Sequence, residues 1–132
     1  MRKITINPES LYDGTPIGLS QAVIDPDTGL VFVSGQVDWN LQHEVSSDSV
    51  SAQFEGALSK LAIALTAAGA SVETILHLRV FVRGELEDHM AALAPILSRF
   101  LGGSRPAVTG VGVASLATRA TLVEVEAIAR RC

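Results

Sequence analysis

The chain has 132 residues, of which 48% are hydrophobic but only 5% aromatic, and its formal net charge is −4. That length fits a single domain over 1–132, with a sizeable core and no need of staples, and no apolar run approaches the roughly 20 residues of a membrane span. Acidity combined with scattered Lys and Arg withholds the electrostatic footprint of a nucleic-acid binder. The one cysteine, Cys132, excludes a disulfide framework and a thiolate metal cluster. With a start, Met1-Arg-Lys-Ile, that lacks an apolar signal region, it reads as a cytoplasmic protein. The surplus of Ala and Val is best explained by an oligomer interface.

Arg2 to Ile6 alternates as a short strand, and 8–18, with two prolines and two glycines, is a loop. Leu19–Ile24 and Leu30–Gln36 are two strands joined by Asp25-Pro-Asp-Thr-Gly29, a turn sequence, and so form a hairpin. Residues 37–47 are polar and irregular, with Asp38, Trp39, Asn40 and His43; a surface loop is favoured there over a lid. Val50, Phe54, Ala57/Leu58, Leu61 and Leu65 then mark a helix that Ser47 or Ser49 can cap and Gly69 ends. Thr74–Arg83 alternates, with Leu76, Leu78, Val80 and Val82 on one side and His77, Arg79, Phe81 and Arg83 on the other. A second helix carries Met90, Leu93, Leu97 and Leu101 and stops at Gly102-Gly103. Arg105–Ala114 and Leu122–Ala129 close the chain as two strands whose short connection predicts an antiparallel pair. Gly110 and Gly112 weaken the first of them but let a backbone or ligand come close.

The element order is β-β-β-α-β-α-β-β, an α+β domain with a six-stranded, mostly antiparallel sheet and both helices on one face. The other face mixes His77, Arg79, Phe81, Glu124 and Glu126, which suits self-association better than open water or a monomer core. No dinucleotide, phosphate-loop or zinc motif occurs, and His43, His77 and His89 share no metal-site spacing, so neither cofactor nor metal is expected. The closing strands hold the candidate site. Glu124 can position a water as general base if partly buried, while Glu126 suits a solvated or ion-paired position. The Ser34 hydroxyl and neighbouring backbone N–H groups can take a carboxylate, and Arg79 offers a second anion contact.

Taken together, Ser20-Gln21-Ala22-Val23, Leu30-Val-Phe-Val-Ser-Gly-Gln36, Ala68-Gly-Ala-Ser71, Arg79-Val-Phe-Val82, Arg105-Pro-Ala107 and Val123-Glu-Val-Glu-Ala-Ile-Ala129 closely resemble the Rid family (reactive intermediate deaminases, also YjgF-like, earlier labelled endoribonuclease L-PSP). The similarity runs over nearly the whole chain in order. It implies a chorismate-mutase-like fold assembled as a homotrimer, with small-molecule clefts between subunits. It further implies cofactor-free hydrolysis of enamines and imines to 2-oxo acids and ammonia. In the family an arginine in Pro-Ala-Arg holds the substrate carboxylate, and a glutamate positions the attacking water.

The sequence departs from that pattern at the arginine, which is Val108 here. Arg105 does not replace it, because three residues away on a strand it would face the other way. The family's site tyrosine is Leu19, and the small polar position two beyond the arginine is Gly110. Ser34, Gly35 and Glu124 are retained. Loss of a bidentate clamp removes about 1.5–3 kcal/mol of charge-assisted contact. Ordinary 2-imino-acid deamination is therefore not expected. With these departures the resemblance implies first a divergent imine or enamine hydrolase using Glu124, with Leu19, Ser34, Gly35, Arg79, Val108 and Gly110 around the substrate. The alternative is a non-catalytic metabolite-binding or regulatory trimer. A ribonuclease ranks third, for want of a basic or aromatic groove.

Overall fold

Each element follows from local chemistry before packing adds to it. The computed structural model describes residues 2–132; Met1 of the expected start lies outside them. Strands β1 (Ile4–Ile6), β2 (Ala22–Asp25) and β3 (Leu30–Gln36) lead into helix α1 (Val50–Ala67). Strand β4 (Ile75–Arg83), helix α2 (Met90–Leu101), β5 (Ala107–Val113) and β6 (Val123–Arg130) complete the chain. The β2–β3 turn closes because Asp25 accepts from the Asp27 N–H at 3.0 Å and the Thr28 hydroxyl at 2.8 Å, while Gly29 takes a φ of 77°. Ser49, not Ser47, caps α1 by accepting from the Ala52 N–H at 3.2 Å. Gly69, at φ 77°, turns the chain away beyond the last turn of α1.

The sheet order is β1-β2-β3-β6-β4-β5, antiparallel throughout except for the parallel pair β4–β5. The core is the layer between this sheet and the two helices. Phe54, Leu58, Leu61 and Leu65 of α1 and Leu93 of α2 meet Val31, Val33, Leu78, Val80, Val82, Val123 and Val125 there. Each such side chain contributes roughly 1.5–3 kcal/mol by leaving water. The opposite face is uncovered. Phe32 remains 45% exposed on it, beside Phe81, Arg79 and Glu126.

Two expectations fail here. The closing strands are not paired with each other: β6 lies between β3 and β4, so both of its edges are taken, and β5 sits beyond β4 at the sheet margin. The connection instead straddles the end of β4. The Arg83 N–H donates to the Leu122 carbonyl at 2.9 Å, and the Gly84 N–H to the Val113 carbonyl at 3.0 Å. The helical crossover through α2 brings β5 back parallel to β4, as a βαβ connection does. The second failure is Leu76, which is 45% exposed instead of sharing the buried face. A register shift between Ile75 and His77 puts Ile75 in the core and throws Leu76 out. Among the described residues no helix is long and apolar enough to cross a membrane.

Candidate functional site

Glu124 stands on β6 between two valines that are fully buried on the helix side, so it faces the uncovered side of the sheet, opposite Phe81 of β4. On its other side β3 breaks register between Val33 and Gln36, which places Ser34 and Gly35 in a bulge. The Glu124 carboxyl rests on Gly35: a Cβ at residue 35 would lie 2.6 Å from its Cδ. Glycine is required there for close approach and not for an unusual φ. Burial pushes the Glu124 carboxyl above its usual range, and the neighbouring negative charge of Glu126 adds to the rise.

Ser34 is committed to the scaffold. Its hydroxyl donates to the Ser20 carbonyl at 2.6 Å and its N–H to the Gln21 carbonyl at 2.9 Å, so neither is a free donor for a carboxylate, contrary to expectation. Beneath it lies a buried amide relay. Gln36 Nε2 donates to Gln21 Oε1 at 2.8 Å, and Gln21 Nε2 donates to the Tyr12 carbonyl at 2.8 Å. Tyr12 is the residue that the sequence reading missed. Burial raises its phenol above the ordinary value; a hydrogen bond with Gln21 opposes this and the Glu124 charge reinforces it. Its being the chain's one tyrosine was the available signal.

Tyr12 also belongs to an aromatic group with Trp39 and His43, whose ring centroids lie 5.1–5.2 Å apart. Trp39 Nε1 donates to Thr121 Oγ1 at 2.9 Å. Asp38, buried at the root of the same segment, accepts from Ser46 Oγ and pairs with Lys60 Nζ at 3.3 Å. With both ends anchored, residues 38–47 fit a fixed surface loop better than a lid.

The other expected residues lie apart from Glu124. Val108 pairs with Leu78 and Gly110 with Val80 in the parallel ladder, so both face the helices, on the opposite side of the sheet. Val108 is 44% exposed. It borders an apolar hollow of about 270 Å³ between α2 and β4–β5. Leu19 is half-buried against Gly14. Arg79 shares the Glu124 face but is paired with Glu126 at 3.6 Å, the partner directly across the ladder. Arg105 precedes β5, so strand alternation does not set its direction; its Nη1 donates to the carbonyls of Gly102 and Ser104 at 2.8 and 2.6 Å. His77 Nε2 lies 3.4 Å from Thr109 Oγ1. Within one chain the site is thus two half-sites on opposite faces of one sheet.

The model of the endoribonuclease L-PSP family matches residues 15–131. Among solved structures, YyfB of Yersinia pestis, a Rid-family protein of unknown function, is 32% identical, with a TM-score of 0.73 over 98% of this chain and 99% of its own. A Thermotoga maritima protein named as a candidate endoribonuclease is 29% identical, with a TM-score of 0.86 over 100% and 99%. RidA of the Antarctic bacterium Psychrobacter is 25% identical, with a TM-score of 0.84 over 96% and 98%. No curated protein sequence matches. The chain belongs to the endoribonuclease L-PSP family, the YjgF/Rid group.

Proposed function

From that membership we propose that the protein hydrolyses an imine or enamine in clefts between the subunits of a homotrimer. Its substrate lacks the carboxylate that relatives with an arginine at position 108 would hold. The observation that carries this reading is Glu124, a half-buried carboxyl of raised proton affinity held against a glycine on an open sheet face. Such a group takes a proton from water as the water oxygen attacks the C=N carbon. Returning that proton to nitrogen completes the carbinolamine; transfer of its hydroxyl proton to the amine then breaks the C–N bond as the carbonyl forms and ammonia leaves. The demand on the protein is small, because imines hydrolyse unaided; positioning and local charge supply the acceleration.

The trimer is supported by the half-apolar uncovered face and by the split site. Glu124 of one subunit and Val108 of the same subunit cannot share a cleft through the sheet, whereas Val108 of a second copy can approach Glu124. The non-catalytic alternative, a metabolite-binding or regulatory trimer, draws on Val108 itself, which removes the anion clamp. A ribonuclease remains the least favoured, for the acidic charge balance and the single arginine pairs spent on carboxylates.

The test compares imines generated in situ: 2-iminobutanoate and a neutral aliphatic imine of the same length. The expected result is acceleration of the neutral imine only, lost in Glu124→Gln. Turnover of 2-iminobutanoate by the unmodified protein at rates equal to those for the neutral imine would overturn the substrate reading. Indifference of both imines to the protein would leave the non-catalytic alternative. Light scattering giving a monomer mass would contradict the trimer.

A further inference from the structure

The hollow behind Val108 has a chemical character of its own. It is lined by the buried Phe54, Val80 and Leu93, the half-buried Leu86 and Leu97, and the exposed Met90 and Val108. No charged side chain lines it. Met90 is 50% exposed and Val108 44%, so the lining of the hollow leaves apolar surface in water. Gly110 keeps the space open: a Cβ there would come within 3.1 Å of Leu86 Cδ2, so any side chain would grow into the hollow. An apolar cavity of about 150 Å³ is enough to take up benzene, and this one is about 270 Å³.

We infer that this hollow is a specificity subsite for an uncharged aliphatic group of the ligand, of about four to six carbons, with Gly110, Leu86 and Met90 setting its length and Val108 its neutrality. The inference rests on the proposed reading of the site as a ligand cleft, and gives that ligand's recognised end a chemical class. An uncharged lining matches an uncharged occupant, because an ion drawn into it would lose hydration with no partner. A flexible methionine at the rim accommodates chains of differing shape. Leu86 is the side chain nearest Gly110, so those two residues adjoin in one wall of the hollow, and the size of either sets how far that wall reaches into it.

The test uses unreactive probes, so its result is independent of imine hydrolysis. The protein has two methionines, Met1 and Met90, so the Met90 methyl resonance is a direct reporter in the full chain. Butanamide, pentanamide and hexanamide are titrated beside butanoate, pentanoate and hexanoate. The expected result is a Met90 shift with the amides, binding about fourfold tighter for each added methylene, and at least tenfold weaker binding of each carboxylate. Gly110→Leu should abolish the shift with the rest of the spectrum unchanged. Leu86→Ala, which enlarges the space, should move the preferred length to a longer chain. A Met90 methyl unresponsive to every probe, as when a second copy's side chain fills the hollow, overturns the inference. So does equal binding of amides and carboxylates. Chain-length selection without imine hydrolysis would sink the proposed reaction and leave the subsite standing; hydrolysis without selection would do the reverse.

Discussion

The half-site around Glu124 and the half-site around Val108 differ in how much of the fold depends on them. Glu124 lies on β6, hydrogen-bonded on both edges, between two fully buried valines and against a glycine bulge. Val108 lies on β5, which among the described residues pairs with β4 alone and whose residues are exposed along nearly its whole length. A change at the first place meets a hydrogen-bonded strand on each edge and the Gly35 backbone against its carboxyl. A change at the second meets solvent and the ends of movable side chains. The centre of the sheet is thus held, while its margin is free to vary. Residue 108 can therefore change while the fold stays the same.

The strongest way to break this contrast is Glu124→Gln. It should reduce imine hydrolysis by about 10²–10⁴-fold, the usual worth of a positioned general base, with the far-ultraviolet spectrum unchanged. An undiminished rate in that variant would take the chemistry away from the centre of the sheet. Next comes the support beneath it. Gln53 is buried; its Nε2 donates to the carbonyls of Ser47 and Ala120 at 2.7 and 2.8 Å, and its Oε1 accepts from the Leu122 N–H at 2.8 Å, just ahead of β6. Gln53→Leu strands all three backbone groups and should cost about 2–4 kcal/mol in denaturant unfolding.

At the margin the two glycines of β5 separate backbone from side-chain resistance. A Cβ at residue 112 would collide with the Gly84 carbonyl, whereas one at 110 meets only the end of Leu86. Gly112→Ala should cost about 1–3 kcal/mol and Gly110→Ala under about 1 kcal/mol. Equal losses would mean that the margin is as tightly packed as the centre. Val108→Arg should change stability by no more than about 0.5 kcal/mol, as a surface substitution does.

The smallest effect expected is on pH dependence. Because the folded protein holds the Glu124 proton more tightly than the unfolded chain does, this residue's contribution is fully favourable below the ordinary glutamate pKa. It is lost as pH rises through the higher folded value. Glu124→Gln should therefore melt above the unmodified protein at neutral pH, and the two should converge on acidification. A gap that widens toward low pH would reverse the assigned sign.

Much of the fold could be read directly because it is local. The apolar spacing of Val50–Leu65, the turn at Asp25–Gly29 and the alternation of Val123–Ala129 act within a few residues of themselves, and each became the expected element. Gly35 and Glu124 are each legible as candidates, though nothing in the sequence brings them together. Leu76 was misplaced because a one-residue bulge shifts the alternation while leaving composition untouched. Tyr12 gives no periodic signal because it lies in a loop; the Gln21–Gln36 relay to its carbonyl and the Trp39 and His43 rings hold it in place.

The sequence by itself determined the element order, the covered and uncovered faces of most strands, the family, and the apolar character of position 108. These depend on periods of 2 and 3.6 residues and on residue identity, which are properties of short stretches. The tertiary structure alone decided that β6 enters between β3 and β4, that β5 is left at the edge, and that Glu124 and Val108 stand on opposite faces. Strand order is set by which edges remain unpaired once the helices have covered the core, and so by contacts between residues far apart in the chain.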